Sequence, residues 1–522
     1  MSTSSPRRAL PALAVGMGLI VLDGTIVAVA LPTIIADLGL GVAQAEWVSS
    51  LYSVIFAALL LPLGRAGDLW GRKRLFISGL VLFGVGSAAC ALAGSALSLI
   101  AGRAIQGIGA AGVLPSSLAT TNALFTGKAR AGAFGVWGAT MASAAALGPL
   151  VGGVVASVWS WPGVFAVTVP AAFAVALWAA LVLPADRPVS GGRLDWVGGA
   201  LSAAGAGGLV FGLIEGPSLG WWRPASREAA SIAGASPVPF ALALGALGLA
   251  AFVSWEFYVA RAGRLALLDL TLFSLRSFSL GNATAFIVAA GEFVLVFALP
   301  LYLTGARGMD ALACGGILAA MAFGALISGA SARHVAARIG ALGTVVAGLA
   351  LEVVGVCGLA WAIHVDASVF AIVGLLIVYG VGLGFASAQL TSTVLAEVDE
   401  SRSGQGSATQ STVRQFGTAL GVGGAGTLLA TVLAAKVGAV PLLDGGASQA
   451  VVESAGAALP AILEALREHG MAAQAELVRA AYVDTMSLVV AAAGAALVVA
   501  WVFSIVLRAG GTPCASTAHD SH

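Results

Sequence analysis

Charge is what this chain most lacks. Only 9% of its 522 residues are Asp, Glu, Lys or Arg, against about 25% in an ordinary soluble domain. So few charges cannot cover a soluble body of this length, but lipid against most of its flank would remove that need. The net charge of +1 supplies no field to attract nucleic acid. Cysteine is scarce as well. Cys90, Cys314, Cys357 and Cys514 form no CxxC pair, and the first three sit in apolar segments, where the residue serves as a small apolar filler. HExxH, GxSxG and P-loop sequences are missing, and no metal-ligand cluster stands out. An enzyme or an ATP-driven machine therefore lacks support, and no metal or cofactor is expected. The polar stretches are too short for a soluble signalling domain, which counts against the rival reading of a membrane sensor or receptor.

What is present in quantity is apolar residue, 59% of the chain, and glycine, 70 residues. A membrane-crossing helix takes about 20 apolar residues, and candidate spans fall at about 10–35, 46–66, 75–97, 98–121, 131–157, 163–184, 197–216, 238–260, 279–303, 310–331, 340–363, 368–394, 407–434 and 481–507. The first run carries Asp23 and no small-residue cleavage site, so it reads as a retained span. Ala96-Leu97-Ser98 reads as a tight hairpin between the third and fourth spans. With the N-terminus in the cytoplasm, seventeen of the 25 Lys and Arg residues fall on the cytoplasmic side and six outside. Arg103 and Arg414 lie within spans. That bias supports cytoplasmic termini at both ends, because one missed helix would invert every later loop. Two outside stretches are long. Residues 217–237 contain Trp221-Trp222, and 435–480 contain the amphipathic Ile462–Glu468; each is surface elaboration or an outer lid.

A faint repeat runs through the chain. Gln106–Ala111 is echoed by Gly380–Ala386, and Gly148–Gly153 by Gly417–Gly424, at an offset of about 270 residues, a plan found among secondary transporters. It divides the chain into a six-helix bundle (1–184), a two-helix insert with its flanks (185–278), a second six-helix bundle (279–508, with the loop 435–480) and a tail (509–522).

Between the second and third spans stands Gly64-Arg65-Ala66-Gly67-Asp68-Leu69-Trp70-Gly71-Arg72-Lys73-Arg74. Gly64 lets helices approach closely. Asp68 can accept from a helix N-terminus or an arginine. Gly71 permits a sharp turn, and Arg72, Lys73 and Arg74 suit the cytoplasmic headgroups. The ordered spacing resembles the loop signature of the major facilitator superfamily. Leu22-Asp23-Gly24-Thr25 through Pro32 resembles the first-helix motif of its fourteen-span drug:proton antiporters. Arg103–Gly109 resembles the fourth-helix motif, Gly148-Pro149-Leu150-Val151-Gly152-Gly153 the fifth-helix antiporter motif, and Arg414-Gln415-Phe416-Gly417 also fits. Ala28, Ala66, Ala144, Pro162 and Thr168 depart from the usual residues. The resemblance covers nearly the whole chain. It implies an all-α membrane protein of the major facilitator fold, with two extra central helices, working as a monomer by alternating access in a bacterial cytoplasmic membrane. Its partners would be protons, the bilayer and a small-molecule substrate, a drug or antibiotic moving out as protons move in. Export of one endogenous metabolite or self-made antibiotic is the alternative.

Ionisable groups inside spans cost about 2.5–3.5 kcal/mol each on insertion scales and so mark function or specific pairing. Asp23, Glu292 and Glu352 are the candidate proton-coupling carboxyls; each can instead be a packing carboxyl bonded to a neighbouring helix. By the repeat, Glu292 stands in the ninth span where Asp23 stands in the first. Arg103 is the candidate charge relay. Gly148, Pro149, Gly152 and Gly153 form a hinge or leak barrier compatible with plain close packing. Arg414 and Gln415 are gate or packing groups near the cytoplasmic end of their span, and Phe286, Phe293 and Phe297 line a cavity or pack.

Overall fold

The computed structural model describes residues 6–125, 127–184, 195–225, 231–232, 234–264, 266–399, 402–441, 443 and 445–510. Arg187, Arg193, Cys514 and most of the tail lie outside these, as does the side chain of Asp68. The described residues are helical almost throughout. The first half comprises α1 (Pro6–Leu38), α2 (Val42–Trp70), α3 (Arg72–Ala91), α4 (Ala96–Leu124) and α5 (Gly127–Val182). Next come α6 (Trp196–Leu219) and α7 (Pro237–Arg261), then α8 (Arg276–Leu301), α9 (Ala311–Ile339), α10 (Ala341–Ala362), α11 (Val369–Val394) and α12 (Ser403–Gly438). Two short helices, α13 (Gly445–Glu453) and α14 (Leu459–Glu468), precede α15 (Ala472–Gly510).

Among the described residues, thirteen helices are long and apolar enough to cross a membrane. One of them, α5, is two. Its 56 residues break at Ser160, with φ 60° and ψ 178°. Both its ends lie on the face where α1 begins: it starts just after α4 ends there, and its last turn takes Lys73 Nζ on the carbonyls of Ala180 (2.7 Å) and Leu183 (2.6 Å). At the opposite face the Trp161 indole donates to Asp37 at the end of α1, at 2.7 Å. Counted this way the described chain crosses fourteen times. The face holding the N-terminus and the end of α15 is here the terminal face, the other the distal face. The hairpin expected at Ala96-Leu97-Ser98 lies one turn earlier. Ser95 caps α4 by accepting from the Ser98 amide at 3.3 Å, so those three residues are already helix.

The two halves pack by the same scheme. α3 lies on α4 as α10 lies on α11, α2 on α4 as α9 on α11, and α1 on α5 as α8 on α12. In lipid, water drives no helix association, so close backbone approach supplies the contact. Here much of the glycine is used. A Cβ on Gly109 would sit 2.5 Å from the Phe83 nitrogen of α3, and one on Gly382 would sit 2.5 Å from the Gly348 carbonyl of α10. The inserted helices α6 and α7 pair with each other, and α6 wedges against both α2 and α12. The distal stretch 435–480 is not loose. Val451, Leu459, Leu463 and Leu466 are buried, and the Tyr482 hydroxyl donates to the region where α8 and the α13–α14 link meet, with the Leu301 carbonyl at 3.0 Å and that of Ala455 at 3.1 Å.

Candidate functional site

The α2–α3 corner shows how the Gly64–Arg74 segment is built. Gly71 ends α2 and starts α3 with φ 106° and ψ 127°, a backbone that a Cβ disfavours. The turn aims the next two side chains at carbonyls of other helices. Arg72 Nη1 donates to Ala119 of α4 at 3.1 Å, and Lys73 covers the C-terminal turn of α5, where the helix dipole favours a cation. Gly64 rests against the Pro115 side chain, to which an added Cβ would come within 3.4 Å. The segment thus pins α2, α3, α4 and the returning arm of α5 at the terminal face.

The antiporter-like segment has two working faces. A Cβ on Gly148 would fall 1.9 Å from Thr25 Oγ1, and one on Gly152 would fall 2.8 Å from the Ile26 carbonyl. Both glycines therefore seat α5 on α1, two residues from Asp23. Gly153 points the other way, its Cβ position 2.7 Å from the Ala311 carbonyl of α9, and the Pro149 carbonyl meets Gly315. The first half touches the second there. The repeat reproduces the pattern: a Cβ on Gly417 would sit 2.3 Å from the Phe286 carbonyl, and one on Gly421 would sit 2.5 Å from that of Ala290, seating α12 on α8.

Asp23 and Arg103 form an ion pair at 2.6 Å, with side chains 0% and 2% exposed. The pair is completed by groups to which the sequence reading gave no role of their own. Arg103 Nη1 also donates to Gln106 Oε1 at 2.8 Å, and Nε donates to the Val48 carbonyl at 3.0 Å. The guanidinium lies over the Tyr52 ring, 4.6 Å from its centre. Gln106 Nε2 donates to Asp23 Oδ1 and to Ser87 Oγ, both at 2.9 Å. Gln106 stands three residues after Arg103, one helical turn along α4, and that spacing is the signal that could have found it. Both Asp23 oxygens and both Gln106 amide atoms are used, which is what a dry charged cluster needs to persist.

Glu292 pairs differently. Its Oε2 lies 3.9 Å from Arg414 Nη2, close enough for charge attraction and too long for a hydrogen bond. The side chains are 14% and 34% exposed, so this pair is looser and wetter than the first. Arg414 stands three helical turns inside α12, deeper than a place at the span end. Asp23 takes its arginine from the fourth crossing, whereas Glu292 takes its own from the thirteenth, which the repeat matches to the fifth. The carboxyls are repeat-related; their partners are not.

Glu352 is fully buried in α10, and neither carboxyl oxygen has a hydrogen-bond partner among the described residues. The Tyr379 hydroxyl of α11 is buried and unpartnered too. Among the described residues Glu352 thus lacks the bond to a neighbouring helix that a packing carboxyl would make. Gln415 is half-buried. Phe297 is 3% exposed in the core, while Phe286 and Phe293 are half-buried. Among the described residues no group of His, Cys, Asp and Glu could hold a metal ion.

Fourteen crossings in two matching bundles, each holding an arginine–carboxylate pair between its own helices, describe a multi-pass membrane transporter. Residues 13–422 match the family model described as Major Facilitator Superfamily, and the chain belongs to that family. It is 31% identical over 82% of its length to the multidrug resistance protein Stp of Mycobacterium tuberculosis, covering 77% of that protein. It is 32% identical over 84% of its length to a probable actinorhodin transporter of Streptomyces coelicolor, covering 74% of it. Among solved structures it resembles a bacterial homolog to the human lysosomal transporter Spinster in an inward-facing and occupied conformation, with TM-score 0.64 and 16% identity over 98% of both chains. That likeness concerns the fold.

Proposed function

We propose that this transporter is a proton-coupled antiporter that exports amphipathic small molecules, drugs or antibiotics, by alternating access. The observation that carries the reading is the buried Asp23–Arg103 pair with its hydrogen bonds to Gln106. A proton taken by Asp23 discharges that pair while leaving Arg103 held by Gln106, Val48 and Tyr52, so the charge state of α1 changes without unpacking α4. Glu292, against the freer Arg414, is the second carrier, and Glu352, with no hydrogen-bond partner among the described residues, is the third. A cationic amphiphile would compete with Arg414 for Glu292 beside half-buried Phe286 and Phe293. The division at 1–184, 185–278 and 279–508 gives the moving bodies, and Gly148, Pro149, Gly152 and Gly153 are the joint between α1, α5 and α9. The protein works as a monomer in the bacterial cytoplasmic membrane with both termini inside, in line with the seventeen-to-six distribution of Lys and Arg.

A second reading is supported by the relative named as an antibiotic transporter: a dedicated exporter of one self-made compound. The deciding experiment is a susceptibility panel of chemically varied toxic compounds in cells with and without the gene. Protection against several unrelated cations supports the first reading; protection against a single compound class supports the second. Proton release in vesicles on adding substrate tests coupling, and its absence with a transported substrate sinks the antiport assignment.

A further inference from the structure

We propose that Glu46 is a further proton-binding carboxyl, seated at the distal seam between the two halves and separate from the central pairs. The proposal rests on the alternating-access reading above. Glu46 is in the second turn of α2 and is 0% exposed, and neither of its carboxyl oxygens has a hydrogen-bond partner among the described residues. It is not spent on capping its helix, because Gln44 Oε1 already accepts from the Gly41 amide at 3.1 Å. The carboxyl lies instead against α12. A Cβ on Gly426 would fall 1.8 Å from Glu46 Oε1, and one on Gly423 would be 4.0 Å from Oε2. Glycine at 426 makes a notch in the second half, and a carboxyl from the first half fills it.

The halves meet along two repeat-related seams, α5 with α9 and α2 with α12. At its distal end the first is a contact of small and apolar residues, with Gly153 on Ala311 and Leu312 and Pro149 on Gly315. The second holds Glu46. The inserted helix α6 closes this seam from the side. Thr427 Oγ1 of α12 donates to the Leu213 carbonyl, and the Trp47 indole donates to Glu215 Oε1 at 2.7 Å. Glu215 is the ionisable side chain that α6 brings towards Glu46. α12 carries no Asp, Glu, His, Lys or Arg between Arg414 and Lys436, and α2 carries none between Glu46 and Arg65. No cation therefore approaches Glu46 from α2, α6 or α12; the charge that α4 brings to α2 is Arg103, which sits at the Val48 carbonyl and is already bonded to Asp23 and Gln106, and the facing acid adds repulsion.

A buried carboxylate with no donor and no paired cation is unstable in such a contact; the neutral acid is not. Closing the seam on Glu46 accordingly takes up a proton, and opening it to the distal solution lets the proton leave. The proton returns to the side from which it came, so Glu46 sets when the distal gate opens and is not a carrier across the membrane. Of the two seams, the one covered by the inserted helix is the one that carries the proton.

The test uses the full chain in nanodiscs, with the four native cysteines replaced and spin labels at exposed Gln44 and Thr431 on either side of the seam. Between pH 6 and pH 8 the separated population should grow in the wild type, with a limiting slope of about tenfold per pH unit for one proton. Glu46→Gln, a permanently neutral isostere, should stay closed at both values. Gly426→Ala should hold the seam apart, and adding Glu46→Ala should close it again. A wild-type shift in Glu46→Gln overturns the proposal. So does a shift that is lost in Asp23→Asn or Glu292→Gln and kept in Glu46→Gln. If the labels never separate in any variant, with or without ethidium as probe, alternating access at this seam falls too. Separation that ignores Glu46 removes the inference alone.

Discussion

Asp23→Asn separates charge from packing at the driest point of the molecule. Asparagine keeps the shape and can still accept from Gln106 Nε2, now 2.9 Å from Oδ1. Arg103 keeps Gln106 Oε1 at 2.8 Å, the Val48 carbonyl at 3.0 Å and the Tyr52 ring at 4.6 Å. What is lost is the ion pair at 2.6 Å. Removing one partner of a buried pair costs about 3–5 kcal/mol. The surviving acceptors and a cation–π contact of about 0.5–2 kcal/mol keep the loss at the lower end of that range, so the protein should still fold. Transport should change more than stability. One proton moving down a gradient of one pH unit supplies about 1.4 kcal/mol, which is tenfold in substrate concentration. With Asp23, Glu292 and Glu352 each carrying one, the limiting accumulation of ethidium in proteoliposomes at zero membrane potential is about 1,000-fold. Asp23→Asn should lower the limit to about 100-fold, and the double variant with Glu292→Gln to about tenfold, while ethidium exchange without a gradient continues. An Asp23→Asn protein that reaches the wild-type ratio would refute the assignment of a proton to this carboxyl.

The loop and hinge residues make separate predictions. Gly71→Ala places a Cβ on a backbone with φ 106° and should lower stability by about 1–3 kcal/mol, read as a drop in the melting temperature of the detergent-solubilised protein. Gly148→Ala drives a Cβ to 1.9 Å from Thr25 Oγ1; overpacking of this kind costs about 1–3 kcal/mol, and efflux should fall further than stability because α1 and α5 can no longer keep their spacing. Unaltered efflux would show that this glycine has no part in the joint. At the terminal face Arg402 Nε donates to Asp269 Oδ2 at 2.9 Å. Partial burial pushes the Asp269 carboxyl up, but hydrogen bonds from Thr271 and Arg402 and the Arg402 charge outweigh it and hold the group below the usual carboxylate range. Because the folded value is the depressed one, the contact should stabilise the protein above the unfolded-chain value of about 4 and fade as pH falls below it. Asp269→Asn should flatten the acid limb of a melting-temperature profile, and an unchanged limb would remove the contact from the account.

Legibility in the sequence followed the physics that left a mark there. Spans were readable because lipid demands length and apolarity together, and even the one helix that merges two crossings kept its break near Trp161-Pro162. Asp23, Arg103, Glu292 and Glu352 were readable because a charge within an apolar run has few excuses. Their partners were not. Arg103 reaches Asp23 across 80 residues, and Glu292 reaches Arg414 by a helix pairing that the repeat does not suggest. Gln106 and Tyr52 carry no formal charge, so hydropathy passes over them, although they complete the dry pair. Glu46 was hidden for another reason. It stood at the edge of a span read as 46–66, where an acid is ordinarily solvated, whereas α2 begins at Val42 and α12 arrives with glycine at the matching height. A charge at the end of an apolar run is thus ambiguous from one helix alone. What decides its role is the residue opposite, and in this protein that residue is Gly426, which leaves room for a carboxyl and offers it nothing to bond with.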